Sequence, residues 1–303
     1  MQACQIKPQG RHSFDPPPER NRHDDGIYRM NIEDRRFIFQ ELRSVEGYID
    51  PPDALVFKAL LQAQTKSGLH GGMAEIGVYY GRSYFLLRKF AGRQEKVLGV
   101  DLFDLDPPED GSLDQYERLM ENGRRLGFAM DEDLIIRGDS TQLAPAEITS
   151  RIGPARFFSI DGGHNLHHVL ADAKLAMEVI APHGVIVFDD TFNPAWPEVT
   201  VGVADFLRTH GHSLVCFGMT KYKTYVCRRE FHATYAGAIA ADPDLQALAH
   251  VETQFLGSKV VRLHNPMRRR VMYELMVRSG LGGFSERIYR SKVKQVKEGV
   301  TGT

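Results

Sequence analysis

The sequence predicts an α/β fold, a mostly parallel sheet with helices on both faces and a terminal antiparallel hairpin, and three observations predict it. The first is the stretch Ala155 to Asp190. There the apolar runs Phe157-Phe158-Ser159-Ile160 and Val185-Ile186-Val187-Phe188 flank a segment with Val169, Leu170, Ala173, Ala176, Met177 and Ile180 at helical spacing. Strands that are apolar on both faces belong inside a parallel sheet, and a right-handed crossover brings their carboxyl ends to the same side. The second is an earlier unit of the same order: a strand over Met73 to Ile76, a glycine turn, a helix over Tyr84 to Ala91 and a strand over Val97 to Val100. The third is the pair His212 to Phe217 and Lys223 to Cys227, two short strands separated by a connection of hairpin length.

Taken in order, residues 1–31 are rich in Pro, Arg, His, Asp and Gln around Pro16-Pro17-Pro18, and read as a flexible arm. Residues 32–70 read as an N-terminal helical cap. Asn31 or Asp34 caps a helix running toward Val45, and Asp53 to Ala63 repeats the amphipathic pattern through Leu55, Val56, Ala59 and Leu60. Such helices cover the sheet's binding edge or form a subunit contact, which leaves a homo-oligomer open. Residues 71–229 hold the sheet. Within them Leu113 to Leu126 reads as a helix, Leu134 to Ile136 as a strand ending in Arg137-Gly138-Asp139-Ser140, and Pro145 to Ile152 and Pro197 to Thr209 as helices. Residues 230–303 form a C-terminal extension, with helical patches over Leu245 to Phe255 and Val271 to Ser279, a strand over Lys259 to Leu263 and a polar tail.

With 303 residues, 42% hydrophobic and 25% charged, the chain can bury a full core, and its net charge of −1 gives no global attraction to nucleic acid or an anionic membrane. Arg268-Arg269-Arg270 and Lys292, Lys294 and Lys297 fit a solvated helix face at least as well as a binding patch. Cys4, Cys216 and Cys227 have neither metal-ligand spacing nor an even-numbered disulfide framework, which fits a reducing compartment. No run of about 18 apolar residues occurs, and the expected location is cytoplasmic.

The chemistry is expected at the carboxyl rim of the sheet, where open α/β folds bind ligands. Asp161 and Asp189-Asp190 end two neighbouring strands and converge there. Three carboxylates so placed repel one another unless a cation or a shared proton offsets the charge, and oxygen ligands suit Mg²⁺ or Mn²⁺. The plainer reading of Asp189-Asp190 is a helix cap or a turn through Asn193-Pro194. Gly77 and Gly81 allow a ligand close to the backbone or simply make a tight turn. Their spacing is not that of the dinucleotide fingerprint. Asp101, at the tip of the second strand, is placed either to accept ribose hydroxyls or to cap the chain. His167 and His168 read as polar surface, and Trp196 either lines an acceptor pocket or packs under its loop.

Glu75-Ile76-Gly77-Val78-Tyr79-Tyr80-Gly81-Arg82-Ser83 resembles the first motif of class I S-adenosylmethionine-dependent methyltransferases. Asp161-Gly162-Gly163-His164 with Phe188-Asp189-Asp190 is similar to the small-molecule O-methyltransferase branch that includes the macrocin and mycinamicin sugar O-methyltransferases and cephalosporin hydroxylase-like proteins. The match runs from about Val45 to Arg228 and implies a Rossmann-like sheet. It implies that Glu75, Gly77, Tyr79, Gly81 and Ser83 hold the methionine part of S-adenosylmethionine, that Asp101 binds its ribose, and that Asp139 and Ser140 flank its adenine. It implies Mg²⁺ or a similar divalent cation on Asp161, Asp189 and Asp190, and His164 as general base beside Asp161. The residues themselves leave His164 open as a base, a further ligand or a cap.

The expected function is therefore methyl transfer to a hydroxyl of a small molecule or sugar, with a glycan or glycosylated natural product ahead of a phenol. A non-catalytic cofactor-binding or scaffold protein on the same fold is the second class. It is disfavoured by the retained side chains of Glu75, Asp101, Asp161, His164, Asp189 and Asp190. An NAD-dependent oxidoreductase is disfavoured by the glycine spacing and the terminal hairpin.

Overall fold

The computed structural model describes residues 30–104, 113–264, 275 and 278–280. The arm, apart from Met30 and Asn31, and nearly all of the helical patch expected over 271–279 lie outside the described residues. Nine strands form one sheet: β1 (Gly72–Ile76), β2 (Val97–Asp101), β3 (Ile135–Arg137), β4 (Ala155–Ile160), β5 (Ile180–Phe188), β6 (Leu214–Met219), β7 (Thr224–Arg228), β8 (Ala249–Phe255) and β9 (Ser258–His264). Their spatial order is β3-β2-β1-β4-β5-β7-β6-β9-β8. The first five pair in parallel, and β7 then joins β5 antiparallel as the return of the β6–β7 hairpin.

Helices follow from the same periodicities. Asn31 caps α1 (Ile32–Arg36) by accepting the Asp34 amide at 2.7 Å, and the chain continues through a wide turn, Phe37–Glu41, and a tight one, Leu42–Ser44. Prolines occupy the first turns of α2 (Pro51–Lys66), α5 (Pro145–Ile152) and α7 (Pro197–His210), where a missing N–H costs nothing. α3 (Arg82–Phe90) starts from Gly81 in the left-handed region, φ 98°, and α4 (Gln115–Arg125) starts from a capping box of Asp114 and Glu117. α6 (Leu166–Val179) is the crossover from β4 to β5, and α8 (His232–Ala241) follows β7.

Strand alternation divides the core in two. One face of the sheet, with Met73, Phe157, Val185, Val187 and Tyr225, packs under α2, α3 and α8. The other, with Ala74, Ile76, Phe158, Ile160, Ile186 and Phe188, packs against α5, α6 and α7. A buried arginine ties the first layer together. Arg156 of β4 donates to Glu95 (2.7 Å), Gln64 Oε1 (2.9 Å), the Leu61 carbonyl (3.1 Å) and the Phe90 carbonyl (3.3 Å).

The C-terminal segment departs from expectation over Leu245 to Phe255. A single tight turn, Leu245–Ala247, leads into β8, which pairs antiparallel with β9, and β9 joins β6 in parallel. No helix among the described residues is long and apolar enough to cross a membrane.

Candidate active site

Register assembles the rim. Val100, Ile76, Ile160 and Phe188 lie side by side across β2, β1, β4 and β5. The next residues, Asp101, Gly77, Asp161 and Asp189, therefore emerge together at the carboxyl end. The amides of Gly77, Asp161 and Asp189 still donate to the neighbouring strand, at 2.8–2.9 Å, which fixes their heights. Because side chains alternate, Glu75 lies on the same face as residues two places further along the rim.

Glu75 is fully buried, and neither carboxylate oxygen has a hydrogen-bond partner. Burial pushes it up to about 8, against the pull of Lys223 and of the Ser83 and Ser159 hydroxyls, which lie near it without aligned hydrogen bonds. Beside it the chain makes a shallow cradle. A Cβ on Gly77, at φ 81°, would lie 1.8 Å from the Asp161 carbonyl oxygen, and Tyr79 adopts φ 52°. Only a chain without side-chain bulk at 77 lets the β1 and β4 loops close on each other.

Asp101 is more engaged than its expected role required. It accepts the Tyr79 amide at 2.8 Å, the Phe103 amide at 2.9 Å and the Gln115 side chain at 3.3 Å. A carboxylate has about four lone-pair sites, so acceptor capacity is left for one hydroxyl. The structure shows Asp101 in its chain-capping role. Asp139 is exposed and held below the usual carboxylate range by Thr141, whose hydroxyl and amide it accepts, and Ser140 opens the turn it caps.

At the end of β4 and β5 Asp161 is flanked by both Asp189 and Asp190. Asp161, His164 and Asp190 each bring a ligand atom within 4.8 Å of the others. Burial, followed by Asp189, pushes Asp161 well above the ordinary carboxylate range. Asp190 has φ 54°, which turns its side chain toward His164 Nε2, 3.2 Å away, and toward the Asn193 amide, 2.6 Å away. Burial would raise Asp190, but these two neighbours and Lys223 hold it low. The His164 ring stacks on Trp196, centroids 4.3 Å apart at 10°. The His167 and His168 rings lie tilted against each other, centroids 3.8 Å apart at 38°, outside this group.

Asp189 instead faces Lys223, whose ammonium contacts its Oδ2, while its Oδ1 accepts the Asp190 amide at 2.8 Å. Lys223 is 3% exposed. Burial alone would favour its neutral form, but Asp189, Asp161 and Asp53 hold it above the usual lysine range. Asp53, near the start of α2, accepts the Thr220 and Tyr225 hydroxyls, and burial lifts it to about 6.

Sequence reasoning passed over Lys223, Asp53 and Asp172. Lys223 was discoverable: β5 and β7 pair with Phe188 opposite Thr224, so the residue before Thr224 faces the residue after Phe188. Asp172 of α6 is fully buried with both oxygens unpartnered, and burial raises it to about 6. Its Oδ2 lies 2.8 Å from where a Gly162 Cβ would be, directly beneath the rim.

The sheet, parallel through β5 with a reversed hairpin beyond it, a glycine cradle after β1 and acids at the tips of β2, β4 and β5, has a Rossmann-like α/β arrangement. Residues 74–191 match the family model described as "Methyltransferase domain". A comparison with curated proteins finds no match. Similar solved structures include the O-methyltransferase NovP, 16% identical over 58% of this chain and 80% of that one, TM-score 0.47. CalS11, the TDP-rhamnose 3'-O-methyltransferase of calicheamicin biosynthesis, is 17% identical over 67% and 89%, TM-score 0.47. TomG, an O-methyltransferase from Streptomyces achromogenes in complex with SAM, is 14% identical over 66% and 91%, TM-score 0.42.

Proposed function

We propose that this protein is an S-adenosylmethionine-dependent O-methyltransferase acting on a hydroxyl of a small molecule or sugar at a divalent cation. The observation that carries the reading is the rim itself: an unpartnered buried Glu75 beside the Gly77 cradle, one strand from a tight group of Asp161, His164 and Asp190. An orphaned buried carboxylate is costly, and a donor-rich, cationic ligand such as this cofactor relieves the cost. The donor set also fits the metal, because Mg²⁺ commonly takes one or two carboxylates and keeps waters.

When bound, the cofactor supplies an activated methyl on a sulfonium, and the cation supplies a Lewis acid for the acceptor oxygen. The chain's residues do the rest. Gly77, Tyr79, Gly81 and Ser83 shape the cofactor loop, Asp101 holds that loop and offers its remaining lone pair to the ribose, and Asp139 with Ser140 borders the adenine side. Asp161 and Asp190 would hold the cation. His164 accepts the acceptor's proton, and its ring is held in place by Trp196 on one face and Asp190 at its edge. A second reading, favoured by the 4.8 Å grouping, makes His164 a third ligand, and an imidazole in the set would then suit Mn²⁺ better than Mg²⁺.

The deciding experiment incubates the protein with S-adenosylmethionine and a panel of nucleotide sugars, glycosides and catechols, with and without chelator, and reads mass gains of one methyl. Transfer to an oxygen acceptor, lost with chelator, is expected. Full transfer in excess chelator would remove the metal, and binding of NAD in place of S-adenosylmethionine would remove the class. For His164→Ala, a rate loss of roughly a hundred- to ten-thousand-fold at every metal concentration marks a base, whereas recovery at high metal marks a ligand.

A further inference from the structure

The three acids at the ends of β4 and β5 are not equivalent. We propose that Lys223 is a positioning residue that withdraws Asp189 from the metal's ligand set, leaving Asp161 and Asp190 as its carboxylates. The inference rests on the reading above, that this rim holds a divalent cation.

Topology fixes the pairing. Since Phe188 lies opposite Thr224, Asp189 and Lys223 face each other one step beyond the last paired residues of β5 and β7. Each oxygen of Asp189 has a partner, Oδ2 the Lys223 ammonium and Oδ1 the Asp190 amide at 2.8 Å, and the carboxylate also lies against Asp161. The left-handed backbone at Asp190 sends the next carboxylate elsewhere, to His164 and Asn193. Asp189 touches Asp161 as well as Lys223, but it stands outside the group of Asp161, His164 and Asp190 whose ligand atoms lie within 4.8 Å of one another.

Charge supports the same division. The Lys223 side chain is 3% exposed, so a metal that took Asp189 would strand a buried ammonium, which is far more costly than leaving the pair intact. The lysine also lowers the negative charge of a rim that holds Glu75, Asp161, Asp189 and Asp190, and Asp53 from α2 faces it from below. The site is thereby set for one dication rather than for as much positive charge as its carboxylates could gather.

Mn²⁺ binding to the full chain, followed by the electron paramagnetic resonance of free Mn²⁺ and by calorimetry, tests this without reference to turnover. Asp190→Asn is expected to weaken Mn²⁺ binding by roughly tenfold or more. Removing the pair together, Asp189→Asn with Lys223→Met, is expected to change it by less than about threefold, because no unpaired ammonium is then left beside the cation. In a Lys223→Met background Asp189 is released, and adding Asp189→Asn there should then cost as much as Asp190→Asn does in the native chain. A loss for the double variant as large as that for Asp190→Asn overturns the proposal. That comparison stands even if Lys223→Met alone does not fold, which thermal melting would reveal. A native protein that binds S-adenosylmethionine but no Mn²⁺ removes the metal reading and this proposal together. Failure to bind either removes the methyltransferase reading itself.

Discussion

At the scale of single residues, Glu75 makes the cofactor-free protein sensitive to pH. Its carboxyl ionises at about 8 in the folded chain, against an ordinary value of 4.5. Between those values the folded state binds more protons than the unfolded one, so stability falls as pH rises through the window and stays low above it. Glu75→Gln removes the ionisation. The variant should outlast the native protein above pH 8 by on the order of a few kcal/mol in thermal or denaturant melts, with the gap closing toward pH 4.5. Parallel pH profiles for the two proteins would show that the buried charge is not on Glu75. Asp101 makes a different prediction because it serves the loop first. Asp101→Ala leaves the Tyr79 and Phe103 amides without their acceptor. Stability should fall by about 1–3 kcal/mol along with S-adenosylmethionine affinity. A binding loss with an unchanged melting curve would restrict Asp101 to the ribose.

At the scale of elements, the β1 and β4 loops are held at a separation only glycine permits. Gly77→Ala meets the Asp161 carbonyl oxygen and a positive φ together. Calorimetry should find cofactor binding lost and melting should show a destabilisation of about 1–3 kcal/mol or more; an alanine variant that binds normally would mean the loops do not need this approach. The Arg156 clamp carries the acid side of stability. Burial would raise Glu95, but Arg156 and the Gly92 and Gly71 amides hold it below its usual range. Its stabilisation is therefore present above the unfolded value of 4.5 and is lost as pH falls through the depressed folded value. Glu95→Gln should show its deficit at neutral pH and converge with the native protein in acid.

These elements also explain what was legible in the sequence. β1, β2, β4 and β5 announce themselves because a doubly covered strand is apolar throughout, and the acids at their tips follow directly. Leu245 to Phe255 misleads because Leu245, Leu248 and Phe255 fall at helical spacing, while β8 is an edge strand with exposed Val251, Glu252, Thr253 and Gln254. Its character comes from pairing with β9, which local periodicity does not encode. Lys223 escaped because a lysine beside a hairpin turn reads as surface. Only the register that sets it opposite Asp189 makes it internal. The positive φ at Asp190, which parts two adjacent acids, has no local signature either.

At the scale of the whole molecule, the segment after β7 belongs to the core. Ile239, Leu245 and Leu248 bury into the layer under α2, the Tyr235 hydroxyl donates to the His183 carbonyl, and Lys58 pairs with Asp244 at 2.5 Å. A chain ending at Glu230 should lose cooperative unfolding, as read by circular dichroism, because it exposes that layer and strands the buried Lys58. A sharp melt at the native temperature would make the extension dispensable. The β8–β9 pair has a further geometric effect. Neighbouring strands turn by roughly 20–25°, so across nine strands the two borders of the sheet are rotated by about half a revolution. The hairpin thus sets the strand direction at the β8 border about half a revolution from that at β3, so that strands adding at the two ends of the sheet would do so in very different orientations.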